Sequence, residues 1–299
     1  MRVIANRGQF QGNMMNAPPA AAPNFSVLMS VYAKEDPEYF AIALDSLVRQ
    51  TAPAGQVVLV CDGPLSSGLD SVIQRFAPCL PLTVIRLPEN VGLSHALNVG
   101  LPHCVHEWVA RFDSDDICEE FRFAKQLEFI GEHPDVDVFG GNILEFTSDS
   151  TRPHAVRSIR QTQEAIVHAA RFRNPLNHVT VFFRKSVVLG AGGYPHDELN
   201  EDYALWVKLM LSGARFGNMA EPLVRARAGV DMVSRRGGWK YLLAEFRLQS
   251  RFWKLGFIGT RVYLFNVGIR IAVRLAPNAL RRWVYSIVLR ARPQNKGVE

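Results

Sequence analysis

The chain has 299 residues, 48% of them hydrophobic, which is enough to bury one large core or two smaller ones. Its formal net charge of +6 is uneven: residues 235–299 carry 14 Lys/Arg against 2 Asp/Glu, and the first 234 carry 20 against 26. No apolar run reaches the roughly 18 residues of a membrane span, residues 1–23 lack an apolar signal core, and the four cysteines show no C-x-x-C spacing. A spanning helix and secretion are therefore not expected. A reduced, cytosolic chain with buried free thiols is. A mildly acidic body with a strongly basic tail suits nucleic acid or an anionic membrane surface.

Residues 1–23, with Pro18-Pro19-Ala20-Ala21-Ala22-Pro23, are expected to form a flexible or polyproline leader. Residues 25–32 (FSVLMSVY) read as a buried strand. Asp36-Pro37 then supplies a helix cap and a first-turn proline. Phe40, Ala43, Leu44, Leu47 and Val48 fall on one helical face. Residues 57–60 (VVLV) give a second strand, ending at Cys61-Asp62-Gly63. Val72, Ile73 and Phe76 mark another helix, residues 82–87 a third strand, and Ser94 a cap for a short helix through Leu101.

Residues 108–112 (WVARF) give a fourth strand, which runs into Asp113-Ser114-Asp115-Asp116. Carboxylates crowded at a strand end repel one another unless a cation joins them, and Mg²⁺ or Mn²⁺ accepts such oxygens together with substrate phosphates. The alternative is an acidic turn capping the next helix. Strands alternating with helices predict an α/β fold with a mostly parallel central sheet flanked by helices. Ligands of such sheets gather at the carboxyl ends of the strands, where Tyr32, Asp62, Asn90 and Asp113–Asp116 all fall. That coincidence favours the functional reading of the tetrad.

Further along, residues 136–139 and 143–146 read as strands around Gly140-Gly141. A helix is expected at 164–171, a strand at 178–183 (HVTVFF), and a helix capped by Asn200, carrying Leu205, Trp206, Leu209 and Met210 and closed by Gly213.

SVLMSVY, VVLVCDG, ENVGLSHALNVGL, VARFDSDD and NEDYALWVKLMLSG, in that order over residues 25–230, resemble the inverting glycosyltransferase family 2. The bacterial enzymes of capsule, exopolysaccharide and O-antigen assembly are the nearest in flavour. The resemblance implies a GT-A type fold over residues 24–234 and a metal-dependent sugar transfer from a UDP- or dTDP-sugar to a lipid-linked saccharide. It places Asp62 at the base, with Ser30 and Tyr32 lining the base and ribose pocket and Asn90 shaping the loop beside it. Asp115 and Asp116, with Asp113 beside them, would hold Mn²⁺ or Mg²⁺ against the diphosphate, and Asp115 would also approach the ribose. Which of the three binds the ion directly stays open. Arg111 would add charge near the diphosphate, or serve as an ion-pair partner of the tetrad. Glu201-Asp202 matches the family's acceptor-side pair, with Asp202 as general base, and His178 would face the diphosphate or the acceptor. Two segments depart from the family's pattern, Cys61-Asp62-Gly63-Pro64 and Val31-Tyr32-Ala33, and both bear on the nucleotide's identity.

Residues 235–299 form the expected C-terminal extension, a basic amphipathic helical tail. Trp253, Phe257, Ile258, Val262, Phe265, Ile269 and Val273 can line one helical side while Lys254, Arg261, Arg270 and Arg274 meet headgroups. Pro277 breaks the pattern, and residues 279–289 resume it. The tail predicts peripheral attachment to the inner membrane face; the competing reading packs it on the catalytic body. No nucleic-acid module accompanies it. A subunit that binds nucleotide sugar without turnover, or a nucleic-acid binder, are the alternatives, and the intact Asp202 and tetrad argue against the first. The sugar and the oligomeric state are not legible.

Overall fold

The alternation in residues 25–32 builds the centre of the molecule. The structure, a computed structural model, describes residues 24–196, 199–228 and 239–275. The expected leader, the Pro277 break and the pattern at 279–289 lie outside the described residues. In β1 (Phe25–Tyr32) Val27, Met29 and Val31 enter one core and Leu28 the other. In β2 (Gln56–Asp62) Val57, Leu59 and Cys61 oppose Val58 and Val60 in the same way. Both faces are therefore covered, as a parallel sheet requires. Helices α1 (Pro37–Val48) and α2 (Ser67–Phe76) pack on the first face and α3 (Leu93–Gly100) on the second. The α1 cap is as expected: Asp36 Oδ1 accepts the Glu38 N–H at 2.8 Å, and Pro37 takes the first helical position. Val48, expected on the buried face, is exposed at the last turn.

Four strands run parallel in the order β3 (Leu82–Arg86), β2, β1, β4 (Trp108–Arg111). Their carboxyl ends share one edge, which carries Tyr32, Asp62 and the tetrad. The other half of the sheet is mixed. It adds β5 (Ile117–Cys118), β6 (Val138–Phe146), β7 (Ala155–Arg157), β8 (Phe182–Arg184) and β9 (Phe216–Arg227). β8 lies antiparallel to β4 and β6, β9 runs parallel to β6, and β5 returns antiparallel along β9. The last pairing curls the acidic segment back over the sheet edge. Helices α4 (Arg122–Glu132), α5 (Gln163–Ala170), α6 (Lys185–Gly190) and α7 (Glu201–Leu211) complete the body.

Ser94, expected to cap α3, lies inside that helix, and Gly92 holds the cap position. Three further local expectations are corrected. The glycine pair at 140–141 does not divide two strands. β6 is continuous, because a glycine at each position admits a neighbour: a Cβ on Gly140 would meet Thr180 Oγ1 at 2.7 Å and one on Gly141 Leu223 Cδ1 at 2.5 Å. Residues 178–183 are not one strand. Residues His178–Thr180 form a 3-10 turn, held where the Thr180 hydroxyl donates to the Asn177 carbonyl at 2.8 Å, and only Phe182–Arg184 join the sheet. Asn200 occupies the α7 cap position without making a side-chain cap bond.

The tail is a helical hairpin where it is described. Helix α8 (Trp239–Lys254) and helix α9 (Thr260–Leu275) flank a turn at Gly256, whose φ of +73° suits glycine. The expected single apolar side is thereby split. Leu248, Phe252 and Ile258 pack with Tyr203, Ala204 and Val207 of α7, while Trp239, Leu243, Leu264, Phe265 and Ile269 face outward. Asn266 Nδ2 ties the hairpin to the body through the Arg171 carbonyl at 2.7 Å and to α8 through Gln249 Oε1 at 2.8 Å. Packing on the body thus holds for one side of the hairpin. No described helix is long and apolar enough to cross a membrane.

Candidate active site

Asp62 ends β2 almost fully buried, and its carboxylate organises the loop that follows β3. Oδ2 accepts from Asn90 Nδ2 at 3.0 Å and from the Gly92 N–H at 3.1 Å, and Oδ1 from the Val91 N–H at 2.7 Å. Tyr32 stands beside it in the β1–β2 register, half-exposed, with Ser30 two residues back along the strand. Ser30, Tyr32, Asp62 and Asn90 therefore come together. A carboxylate offers about four acceptor positions, so three bonds to the loop leave Asp62 capacity for one more.

The tetrad begins where β4 ends. Arg111 is almost fully buried and forms an ion pair with Asp113. The Ser114 hydroxyl donates to Glu35 Oε2 at 2.8 Å, and Asp116 Oδ1 accepts the Arg227 N–H at 2.7 Å. Arg227 Nε also donates to the Asp115 carbonyl at 3.2 Å, while its guanidinium lies 3.6 Å above the Tyr39 ring. Beneath the tetrad, buried Arg122 donates to the Arg111 carbonyl at 2.8 Å. Burial, followed by the charges of Asp113 and Glu35, pushes Asp115 up to about 7. Burial and the charges of Asp115 and Asp113 hold Asp116 well above the usual carboxylate range.

Carboxylates crowded in this way suit a divalent cation. Among the described residues no three His, Cys, Asp or Glu side chains form a protein cage for an ion. Mg²⁺ and Mn²⁺ do not require one, since they bind through one or two carboxylates and substrate phosphates. The crowded, partly desolvated carboxylates of Asp115 and Asp116 fit that donor set.

The second group of carboxylates opens α7. Asp202 accepts from Asn174 Nδ2 at 2.5 Å on Oδ2 and from the Tyr203 N–H at 2.7 Å on Oδ1. Burial raises Asp202, and those two bonds work against the rise. Glu201 is pushed up to about 7 by burial and then by the charge of Asp202. His178, placed by its 3-10 turn, meets the Tyr194 hydroxyl at 3.1 Å through Nε2 and sits edge-on to Trp206. Burial and the charge of Arg111 hold it well below its usual pKa, so the ring is neutral. Asn98 clamps Tyr194 through both of its backbone groups at 2.7 and 2.8 Å.

Arg111 is the charge both groups share. It acts on Asp115 and Asp116 on one side and on Glu201, Asp202, His178 and Tyr194 on the other. The site thus consists of two carboxylate pairs around one buried guanidinium. Sequence reasoning assigned no role to Glu35, Arg122, Asn174, Arg227 or Tyr194. The one available signal was the amide at 174 preceding the segment that carries His178.

Residues 26–189 match the family described as Glycosyl transferase family 2, and the chain belongs to that family. It is a glycosyltransferase. It is 41% identical to the amylovoran biosynthesis glycosyltransferase AmsE of Erwinia amylovora over 87% of this chain and 97% of that one. It is 35% identical to the UDP-Gal:alpha-D-GlcNAc-diphosphoundecaprenol beta-1,3-galactosyltransferase of Escherichia coli, over 90% of this chain and 97% of the other. In fold it is similar to S. aureus TarS 1-349, solved in complex with UDP-GlcNAc, with a TM-score of 0.63 and 18% identity, covering 88% of this chain and 79% of that one. That likeness confirms the GT-A architecture.

Proposed function

We propose that the enzyme transfers a sugar from a UDP- or dTDP-sugar to a lipid-linked saccharide in surface polysaccharide assembly, with inversion at the anomeric carbon. The observation that carries this reading is the pairing of the two carboxylate groups across Arg111, with Asp202 oriented by Asn174. Relatives that build amylovoran and galactosylate a lipid diphosphate sugar support the acceptor class.

Asp62, Tyr32, Ser30 and the Asn90 loop hold the base and ribose. Asp115 and Asp116, with Asp113 beside them, would hold Mn²⁺ or Mg²⁺, which when bound neutralises charge on the departing diphosphate. Arg111 adds a fixed cation next to it. The acceptor hydroxyl gives its proton to Asp202 as its oxygen attacks the anomeric carbon. The bond from that carbon to the diphosphate breaks, and its electron pair leaves with the nucleoside diphosphate. One displacement inverts the centre, by the same logic as single-step glycosidases. Glu201 borders the same space, and neutral His178 and Tyr194 can donate or accept hydrogen bonds there without adding charge.

The outward residues of the α8–α9 hairpin, mixed with Arg247, Lys254 and Arg261, would rest on the anionic inner face of the membrane, where such acceptors are presented. Asp202→Asn tests the core of the proposal. Turnover is expected to fall by about 10²–10⁴ while UDP binding by calorimetry is unchanged; near-normal transfer would remove Asp202 from the role.

A further inference from the structure

A cavity of about 360 Å³ opens on the outer face of α5, lined by Arg160, Ala165, His168, Ala169, Phe172 and Arg173. It lies outside the two carboxylate groups, yet it is continuous with them through the chain. Arg173 directly precedes Asn174, the residue bonded to Asp202. Among the described residues neither Arg160 nor Arg173 has an ion-pair partner. Glu164 stands on the same helix but does not line the cavity. The cavity's lining thus holds two arginines and a histidine and no carboxylate, residue types of the donor set that recognises phosphate.

Its wall leads into the hairpin. Phe172 meets the outward ring of Phe265 edge-on at 6.3 Å, and the Phe172 carbonyl accepts from Arg270 Nη2 at 2.9 Å. Arg270, itself paired to Glu245, also lines a second cavity of about 190 Å³ between α8 and α9, together with Trp239, Leu242, Leu243, Phe246, Val267 and Ile271. An apolar groove, a cationic cavity and the Asp202 carboxylate therefore follow one another, joined by Arg270–Phe172 and by Arg173–Asn174.

We propose that the Arg160–Arg173 cavity binds the phosphate of the lipid-linked acceptor, with the first carbons of its chain in the groove between α8 and α9. This rests on the acceptor class proposed above. The order of the three features matches the order of chain, phosphate and sugar hydroxyl in such a molecule, and charge complementarity selects a phosphate-bearing lipid over a neutral one.

The test uses the full chain, saturated with UDP and Mn²⁺ so that the nucleotide site is filled, and titrates a short alkyl diphosphate without sugar by calorimetry. Wild type is expected to bind it. R160Q/R173Q is expected to bind about tenfold or more weakly with unchanged UDP affinity. R75Q/R152Q, which loses the same charge elsewhere on the surface, is expected to match wild type. Equal affinity in R160Q/R173Q and wild type, equal loss in both double variants, or no binding by wild type overturns the proposal. Vesicles separate acceptor phosphate from lipid headgroups. Loss of binding by R160Q/R173Q to phosphatidylcholine vesicles doped with a polyprenyl-length alkyl diphosphate, with binding to phosphatidylglycerol vesicles retained, supports the subsite. Equal loss on both shows a headgroup site instead. Absence of UDP binding in every protein would count against the proposed function, whereas intact UDP binding with unaltered alkyl diphosphate binding counts against the subsite alone.

Discussion

Asn174 donates its side-chain amide to Asp202 Oδ2 at 2.5 Å, which fixes the carboxylate's orientation and favours its charged form against burial. A general base works only when ionised. Removing the amide in Asn174→Ala raises Asp202 further, so activity should fail at a higher pH than in wild type. A hydrogen bond to a charged group contributes about 1.5–3 kcal/mol. The variant should therefore lose about tenfold or more in kcat/KM on the acidic side of the profile and recover much of it as pH rises. A uniform loss across the pH profile would make Asn174 a packing residue only.

Asp115 and Glu201 are both pushed up to about 7. A carboxylate whose pKa is raised by folding stabilises the native state most below its unfolded pKa, and that contribution is lost as pH rises through the folded value. Chelated protein is thus expected to lose thermal stability as pH rises from about 4 to about 7. Adding Mn²⁺ with UDP should restore stability at the high end, because a cation compensates the crowded charges. Asp115→Asn should raise the Tm of the chelated protein at pH 8 and abolish the Mn²⁺-dependent gain. A flat pH profile without metal would mean these carboxylates are not crowded in solution.

The parallel half of the fold was legible because β1 and β2 are buried on both faces, and their near-continuous apolar runs have few other uses. Strand ends then located Asp62 and the tetrad without any tertiary information. What could not be read depended on contacts distant in the chain. Arg227 reaches the tetrad across 111 residues, and nothing in its own neighbourhood marks it. The run VTVFF has the composition of a strand, but the backbone bonds Thr180 N–H to Asn177 and Val181 N–H to His178, with the Thr180 hydroxyl on Asn177, make its first residues a 3-10 turn, from which His178 meets Tyr194. The tail's periodicity was real, but Gly256 divides it, so residues that share one face of an ideal helix end on opposite sides of a hairpin.

Arg227 holds the tetrad from above, through Asp115 and through its stack on Tyr39 and Phe146. Its backbone N–H bond to Asp116 is kept in an alanine or lysine variant, so the side chain's own part can be isolated. Arg227→Ala should weaken Mn²⁺-dependent UDP binding about tenfold, in line with about 0.5–2 kcal/mol for a cation–π stack together with one hydrogen bond. Arg227→Lys keeps the charge but loses the planar fork and should fall between. Unchanged nucleotide affinity in the alanine variant would show that the tetrad is held without it.

The two sides of the hairpin should separate cleanly. Phe252 is buried against α7, and Phe252→Ala should destabilise the protein by about 3–5 kcal/mol. Leu264 and Ile269 face outward, so Leu264→Ser with Ile269→Ser should leave stability within about 0.5 kcal/mol. If that outer face rests on the membrane, the double variant loses two large apolar side chains from the interface, each contributing about 1.5–3 kcal/mol when fully buried. Co-sedimentation with phosphatidylglycerol vesicles should then drop by about tenfold or more. The remaining attachment, through Arg247, Lys254 and Arg261, should weaken further with salt as charges are screened over about 8 Å at physiological ionic strength. Full vesicle binding by the double variant would assign the outer face to something other than a membrane.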